Sequence, residues 1–307
     1  MPESRLMLLD TASLYFRAFF GVPDITAADG TPVNAVRGLL DFIARLVDDY
    51  APTDLVCCWD NDWRPQWRVE LIPSYKAHRV VEEHESAPDV EEVPDPLQVQ
   101  VPLIRDVLAA AGVRVVGVDG YEADDVIGSL ATGARMPVDI VTGDRDLFQL
   151  VDDAAGVRVL YTSRGVGNHE RVDDHWVQER YGVTPHQYPD FATLRGDASD
   201  GLPGVKGVGE KTAAKLLQEY GDLAGVRAAA LDPSSGLTAA LRARILAAAD
   251  YLAVAPAVVA VARDLPVDRS ALALPREPTD PIRLAELAER FNLGSPVARL
   301  TAAMAGR

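Results

Sequence analysis

The sequence predicts an α/β fold: a central, mainly parallel sheet covered by helices, followed by a helical C-terminal part that carries a helix-hairpin-helix motif. Three observations predict it. Short apolar runs alternate with segments of helical periodicity through the first half of the chain, as in parallel sheets with crossover helices on both faces. Acidic residues stand at or just beyond the ends of those runs, where open parallel sheets bind ligands. From about residue 173 the pattern turns helical, broken by a glycine- and lysine-rich turn at 202–217.

The first strand is expected at 5–9 (RLMLL), ending at Asp10. Val36, Leu39, Leu40, Ile43, Leu46 and Val47 recur at helical spacing and predict a helix over 34–50. LVCCWD at 55–60 is a buried-type strand that ends at Asp60. A helix over 97–111 is stopped by Gly112, and strands follow at 113–118, 138–144 and 157–161. Helices are expected at 173–181, 185–195, 209–219, 236–252 and 281–291, with a strand or extended return at 256–267 and a proline-rich loop at 263–281. The division is therefore an α/β unit over 1–172 and a mainly helical unit over 173–307. The acidic segment 82–96, with three prolines, is too polar for a core and is expected to be mobile.

The 307 residues, 48% hydrophobic, suffice for one large domain or two modest ones. No run of 18 apolar residues and no signal-peptide pattern occurs, so a soluble, cytoplasmic protein with no membrane partner is expected. The adjacent Cys57 and Cys58 fit a buried strand in a reducing compartment. A net charge of −16 argues against non-specific coating of nucleic acid. Of only four lysines, Lys206, Lys211 and Lys215 fall within ten residues, the pattern of a local phosphate-binding patch.

Nine carboxylates carry the chemistry: Asp10, Asp60, Glu122, Asp124, Asp125, Asp144, Asp146, Asp197 and Asp200. Acidic residues at a helix start complement its dipole, and strand-end aspartates cap helices, so each cluster alone has an ordinary explanation. Independent caps need not recur at so many sheet ends, and the joint arrangement implies one acidic pocket. Carboxylates about 5 Å apart repel by about 3 kcal/mol per pair at an effective dielectric near 20. Hard divalent cations remove that cost, and all-oxygen ligation favours Mg²⁺ or Mn²⁺. In LPGVKGVGEKTAAKLL (202–217), read as helix, glycine turn and helix, Gly204, Gly207 and Gly209 allow close backbone approach. The new helix start offers free N–H groups to a phosphate, without reading bases. In SYKAHR (74–79), Lys76 and Arg79 share a face if helical. Tyr15, Phe16, Phe19 and Phe20 suit a core, and the five histidines, His78, His84, His169, His175 and His186, show no metal-binding spacing.

Together these motifs resemble the flap endonuclease family in its bacterial branch, which includes the N-terminal domain of family A DNA polymerases and stand-alone 5′-3′ exonucleases. The resemblance runs through LMLLDTASLYFRAFF, WD, YKAHR, YEADD, TGDRDLFQL, GDASDGLPGVKGVGEKTA and ARDLPV. It implies two adjacent Mg²⁺ or Mn²⁺ sites, with Asp10, Asp60, Glu122 and Asp124 at the first. Asp125, Asp144, Asp146, Asp197 and Asp200 belong to the second, some through water. Lys76 and Arg79, at the base of an arch over about 73–100, match contacts to the scissile phosphate. Phe16 and Arg17 match a stacking aromatic and a phosphate contact, with Tyr75 a second stacking candidate. The hairpin, with Gly204, Lys206, Gly207, Gly209, Lys211, Thr212 and Lys215, matches a duplex-gripping element that holds K⁺ through carbonyls. The arch segment 80–96 is acidic here, where the family is basic.

The implied activity is a structure-selective, metal-dependent 5′ nuclease of DNA replication and repair. It would act on 5′ ends, flaps, nicks or gaps and on RNA–DNA primer strands, as a nucleoid-associated monomer. A branched-DNA binding protein that cuts weakly or not at all, and a PIN-type ribonuclease, are the alternatives.

Overall fold

The computed structural model describes residues 4–82 and 89–306. The acidic residues 83–88, with His84 and the middle of the expected mobile segment, lie outside the described residues.

Strands β1 (Leu6–Asp10), β2 (Asp54–Cys58), β3 (Val80–Glu82), β4 (Val90–Glu91), β5 (Arg114–Val116), β6 (Val138–Thr142), β7 (Val157–Tyr161) and β8 (Glu170–Val172) form two sheets. The large one has the order β5-β2-β1-β6-β7-β8 and is parallel except for β8, which runs antiparallel to β7. β3 and β4 form a separate antiparallel pair. Residues alternate between faces along a strand. Leu6 and Leu8 therefore enter one core, and Met7 and Leu9 the other. Val56 and Cys58 likewise oppose Leu55 and Cys57, so the adjacent cysteines point into different layers and both stay free thiols. Burial on both faces is why these strands read as continuous apolar runs.

One face is covered by the helices Asn34–Tyr50 and Gln100–Ala111 and by the last helix, Gly294–Gly306, through Leu300, Ala303 and Met304. The other face carries the helix Ala123–Ala131 and the helical C-terminal part, through Phe191, Leu216, Leu217 and Leu252. Among the described residues, no helix is long and apolar enough to cross a membrane.

Several sequence expectations are corrected. The helix expected over 236–252 is two, Ala239–Ala247 and Ala249–Val259. The second runs through Pro256 because Leu252, Ala255, Val258 and Val259 are buried on one side, so 256–259 is helix and not strand. The helices Leu223–Leu231 and Gly294–Gly306 and the short strand β8 were not expected. Lys76 and Arg79 do not share an α-helix: Lys76 is left-handed (φ 48°) and Ala77–Arg79 is one 3-10 turn. The first half of 202–217 is loop, and the helix preceding the glycine turn is Tyr188–Arg195. Phe20 is not core but 73% exposed.

Candidate metal centre and nucleic-acid interface

The pocket forms where neighbouring parallel strands end together. β1 pairs with β2 on one side and β6 on the other, so Asp10, the loop carrying Asp60 and the turn carrying Asp144 share one edge. Asp10 caps the helix Thr11–Gly21 by accepting the Ser13 N–H at 3.1 Å, and its second oxygen accepts the Thr142 hydroxyl at 2.7 Å. Asp60 accepts the Ala123 N–H at 2.8 Å, which ties the loop after β2 to the helix bearing Asp124. The Thr142 hydroxyl accepts the Asp144 N–H at 2.9 Å, and Asp144 accepts the Asp146 N–H at 2.8 Å. At Gly143 a Cβ would lie 2.9 Å from the Ser13 hydroxyl, so a larger residue would push aside the side chain that accepts the Gly143 N–H. The capping role and the pocket role therefore coincide on the same side chains.

A cavity of about 250 Å³ is lined by Asp10, Asp60, Glu122, Asp124 and Asp144, with Phe16, Lys76 and Arg79 at its walls. A narrow cleft behind it brings Asp146 and Asp200 beside Glu122 and Asp124. Two populations of carboxylate result. The inner group is short of cations. Burial first, then repulsion from Asp60, pushes Asp10 up to about 7. Burial, and less strongly Glu122, raises Asp60 to about 6. Burial and Asp144 raise Asp200 to about 6 despite Lys76. Asp124 and Asp146 also rise, through burial and then through Asp10 and Asp144 respectively.

The outer group is ion-paired. Burial would raise Glu122, but Lys76 and Arg68 hold it below its ordinary value. Its oxygens receive Arg68 Nη1 at 3.0 Å, the Tyr75 hydroxyl at 2.7 Å and the Lys76 ammonium. Asp197 is likewise held low against burial by the Ser199 hydroxyl and N–H and by Arg195 and Arg145. Those guanidiniums lie at 3.0 and 3.3 Å.

Two expected roles are corrected. Asp125 faces away from the cavity: Arg68 grips both its oxygens at 2.7 and 2.9 Å, and it also accepts the Ala262 N–H at 2.8 Å. Its oxygens are taken up by Arg68 and by backbone N–H groups instead of facing the cavity. Tyr75 is 4% exposed with its hydroxyl on Glu122, so no base can stack on it. Phe16 remains half-buried at the cavity wall. Arg17 sits beside Gly143, its Nε buried without a hydrogen-bond partner. Arg79 reaches the Ser199 carbonyl at 2.8 Å and Asp200 at 3.4 Å. Sequence reasoning missed Arg68, Arg145 and Arg195. The last two had a signal, lying inside TGDRD and directly before GDASD, whereas Arg68 had none.

The glycine turn is stitched to this pocket. The Lys76 N–H donates to the Asp200 carbonyl at 3.0 Å, and the Ser74 hydroxyl to the Gly201 carbonyl at 2.7 Å. Gly204 has φ +62°, and a Cβ there would come within 2.5 Å of the Arg195 carbonyl oxygen, so the turn closes only with glycine. Gly209 caps the helix Glu210–Tyr220, Thr212 is half-buried on it, and Lys206, Lys211 and Lys215 are exposed around the turn and helix. Gly207 is exposed at the tip.

Among the described residues, no three His, Cys, Asp or Glu side chains are drawn together into a ready-made metal cage. The donor set still fits hard dications. Every donor is an oxygen, and the inner carboxylates are destabilised by one another. Mg²⁺ keeps several waters and needs only one or two direct carboxylates.

Residues 5–182 match the family model described as 5′-3′ exonuclease, N-terminal resolvase-like domain, and residues 183–281 match 5′-3′ exonuclease, C-terminal SAM fold. The chain belongs to the 5′-3′ exonuclease family. It is 63% identical to a 5′-3′ exonuclease of Streptomyces coelicolor over 96% of this chain and 98% of that protein. It is 45% identical to DNA polymerase I of Mycobacterium tuberculosis over 71% of this chain and 23% of the polymerase. The fold is that of the T5 D15 protein co-crystallised with metal ions (TM-score 0.66, 16% identity, 98% of both chains). It is also similar to flap endonuclease-1 from Methanococcus jannaschii (TM-score 0.63, 15% identity, 99% and 94% of the chains).

Arg68→Met removes the only cation touching Asp125 among the described residues, leaving a fully buried carboxylate unpaired. Breaking such a pair costs about 3–5 kcal/mol, which urea denaturation will register as a lower midpoint at unchanged slope.

Asp10, Asp60 and Asp200 titrate higher in the fold than in the unfolded chain, so between about pH 4 and 7 the native state holds more protons. Stability in EDTA should therefore fall as pH rises through that window. Excess Mg²⁺, which binds the ionised forms, should flatten the fall. A melting temperature in EDTA that does not decrease from about pH 5 to pH 7.5 would contradict the inner-group geometry.

Proposed function

We propose that this chain is a structure-selective 5′ nuclease that hydrolyses DNA phosphodiesters at 5′ ends, flaps, nicks and gaps, in replication and repair. The observation that carries the reading is the joining of a cation-deficient carboxylate pocket to a glycine turn with exposed lysines, through Lys76–Asp200 and Ser74–Gly201. Membership of the 5′-3′ exonuclease family supports it, and the hairpin favours duplex DNA over the single-stranded RNA of a PIN-type ribonuclease.

Asp10, Asp60, Glu122 and Asp124 on one side, and Asp144, Asp146 and Asp200 on the other, would hold two or more Mg²⁺ or Mn²⁺ ions, with Asp197 acting through water. Such ions supply an acidified water and charge neutralisation at the leaving oxygen. The protein's own groups do the rest. The hairpin amides and Lys206, Lys211 and Lys215 hold the backbone of the duplex, and the turn's carbonyls would hold a K⁺ that adds positive charge there. Lys76 and Arg79 at the cavity wall neutralise charge that grows on the phosphoryl oxygens. Phe16 and Arg17 orient the 5′ nucleotide. Hydrolysis leaves a 5′-phosphate and a 3′-hydroxyl. We take the protein to act as a nucleoid-associated monomer, to accept RNA–DNA primer strands, and to divide the work between a cutting unit (1–172) and a gripping unit (173–307).

Asp144→Asn or Asp146→Asn should lower cleavage of a flap substrate in Mg²⁺ by at least about a hundredfold, with duplex affinity still measurable. Full activity in either variant, on mapped products, would refute the pocket as the cutting site.

Lys206→Ala combined with Lys211→Ala should weaken duplex binding and reduce the slope of log affinity against log salt by about 2. An unchanged slope would assign the lysines to the solvated surface.

A further inference from the structure

The extended strip that follows the helix Ala249–Val259 holds the first residues of ARDLPV and lies behind the carboxylate pocket. Val258, Val259 and Val261 line the narrow cleft that contains Asp146, Asp200, Glu122 and Asp124. The backbone of this strip and of the helix end before it is held to both flanks of the pocket. On one flank, the Ala262 N–H donates to Asp125 at 2.8 Å, and Arg68 donates to the Val258 carbonyl at 3.2 Å. On the other flank, Gln149 makes the connection. Only 3% exposed, it donates from Nε2 to the Asp146 carbonyl at 2.8 Å and to the Val259 carbonyl at 3.1 Å. Its Oε1 accepts the Val261 N–H at 3.1 Å. Arg263 completes the joint by donating to the Gln149 backbone carbonyl at 2.8 Å.

We propose that Gln149 is a positioning residue for the metal pocket: through it the ARDLPV strip fixes the backbone of Asp146 and so sets the affinity of the carboxylates for divalent cations. The proposal rests on the reading of Asp146 as a metal ligand and gives ARDLPV a part in it. Asp146 opens the 3-10 turn Asp146–Leu150, a conformation with poorer hydrogen-bond geometry than an α-helix. Restraint must therefore come from outside the turn. The Asp146 N–H is tied to Asp144 and its carbonyl to Gln149, so the residue is pinned on both sides. A primary amide suits the task, because it offers two donors for two carbonyls and an acceptor for an N–H. A carboxylate at 149 would set negative oxygens against both carbonyls. An aliphatic side chain would leave the Asp146 and Val259 carbonyls and the Val261 N–H without this partner in a buried place. The restraint matters because like-charged carboxylates move apart when nothing holds them. An ion that must first gather its ligands binds less tightly than one that finds them in place.

Mn²⁺ binding to the DNA-free protein, followed by loss of the paramagnetic resonance signal of the free ion, tests this without cleavage. All proteins are compared at a temperature where each is folded. Gln149→Met should weaken Mn²⁺ binding about tenfold, with the affinity for duplex in EDTA unchanged because the hairpin is untouched. Arg263→Met changes an exposed side chain and loosens the same joint from its other end, so it should weaken Mn²⁺ binding severalfold. Ile43→Ala lowers stability from the core on the other face of the sheet and should bind Mn²⁺ as wild type does. Wild-type Mn²⁺ affinity in both Gln149→Met and Arg263→Met would overturn the proposal. So would a loss in Ile43→Ala as large as that in Gln149→Met, since lost stability alone would then account for the effect. Weakened Mn²⁺ binding in Gln149→Met, beside a wild type that cuts no DNA in Mg²⁺ or Mn²⁺, would count against the nuclease reading and leave the positioning role standing.

Discussion

Mutual repulsion among carboxylates at one edge of the sheet is the constraint around which this molecule is built. Burial and like charge both penalise the ionised forms, so the edge is tolerable only if cations are supplied somewhere. The protein supplies them from behind and from the side. Arg68 binds Asp125 and Glu122 from the back, Lys76 also binds Glu122, and Arg145 and Arg195 hold Asp197 at the flank. These pairs fix the outer acids rigidly and leave the inner ones, Asp10, Asp60, Asp124, Asp146 and Asp200, with raised proton affinity. An unfilled demand for positive charge is thus concentrated on the cavity side. That division also explains how nine acids can be clustered without unfolding the domain: Glu122, Asp125 and Asp197 are neutralised by the protein's own cations.

The topology makes the edge possible. Parallel strands in the order β2-β1-β6 end on the same side, and register sets Asp10 opposite Cys58 and Leu9 opposite Val141. A one-residue slip would turn each strand's side chains to the other face. Both faces here are apolar and packed, so such a slip would also exchange Met7 and Leu9 with Leu6 and Leu8 between two differently shaped cores. Core packing therefore fixes the placement of the acids, although no core residue touches the cavity. The stitch between residues 74–76 and 200–201 then fixes the hairpin against the same edge.

What was legible in the sequence follows from this. Strands buried on both faces leave unbroken apolar runs, so β1, β2, β6 and β7 were readable to within a few residues, as were the acids at their ends. The glycine turn was readable because positive φ and close approach at Gly204 leave glycine as the only residue that fits. Long-range charge pairing was not readable. Arg68 lies in a six-residue helix and meets Glu122, Asp125 and the Val258 carbonyl, the last 190 positions away. Nothing local distinguishes it from a solvated arginine, and for the same reason Asp125 looked identical to Asp124. Tyr75 and Phe20 were misjudged in opposite directions, since an aromatic at a chain turn gives no local sign of whether the fold closes over it. The strand β8 is three residues long, and its antiparallel pairing with β7 leaves no periodic signal.

The overall charge raises a physical difficulty whose answer joins these features. A chain of net charge −16 must approach a polyanion, and long-range electrostatics opposes the encounter. On the reading proposed above, the contacts are then short-range: the amides and three lysines of the hairpin, and Lys76 with Arg79 at the cavity. On that reading the inner carboxylates would contribute to the repulsion until divalent cations bound them, after which the same edge would attract phosphate. By linkage, whatever strengthens cation binding at the edge strengthens substrate binding equally, and substrate phosphate in turn tightens the cations. A sequence-blind grip on duplex and a charge reversal at the cutting edge together make recognition depend on the shape of the DNA end.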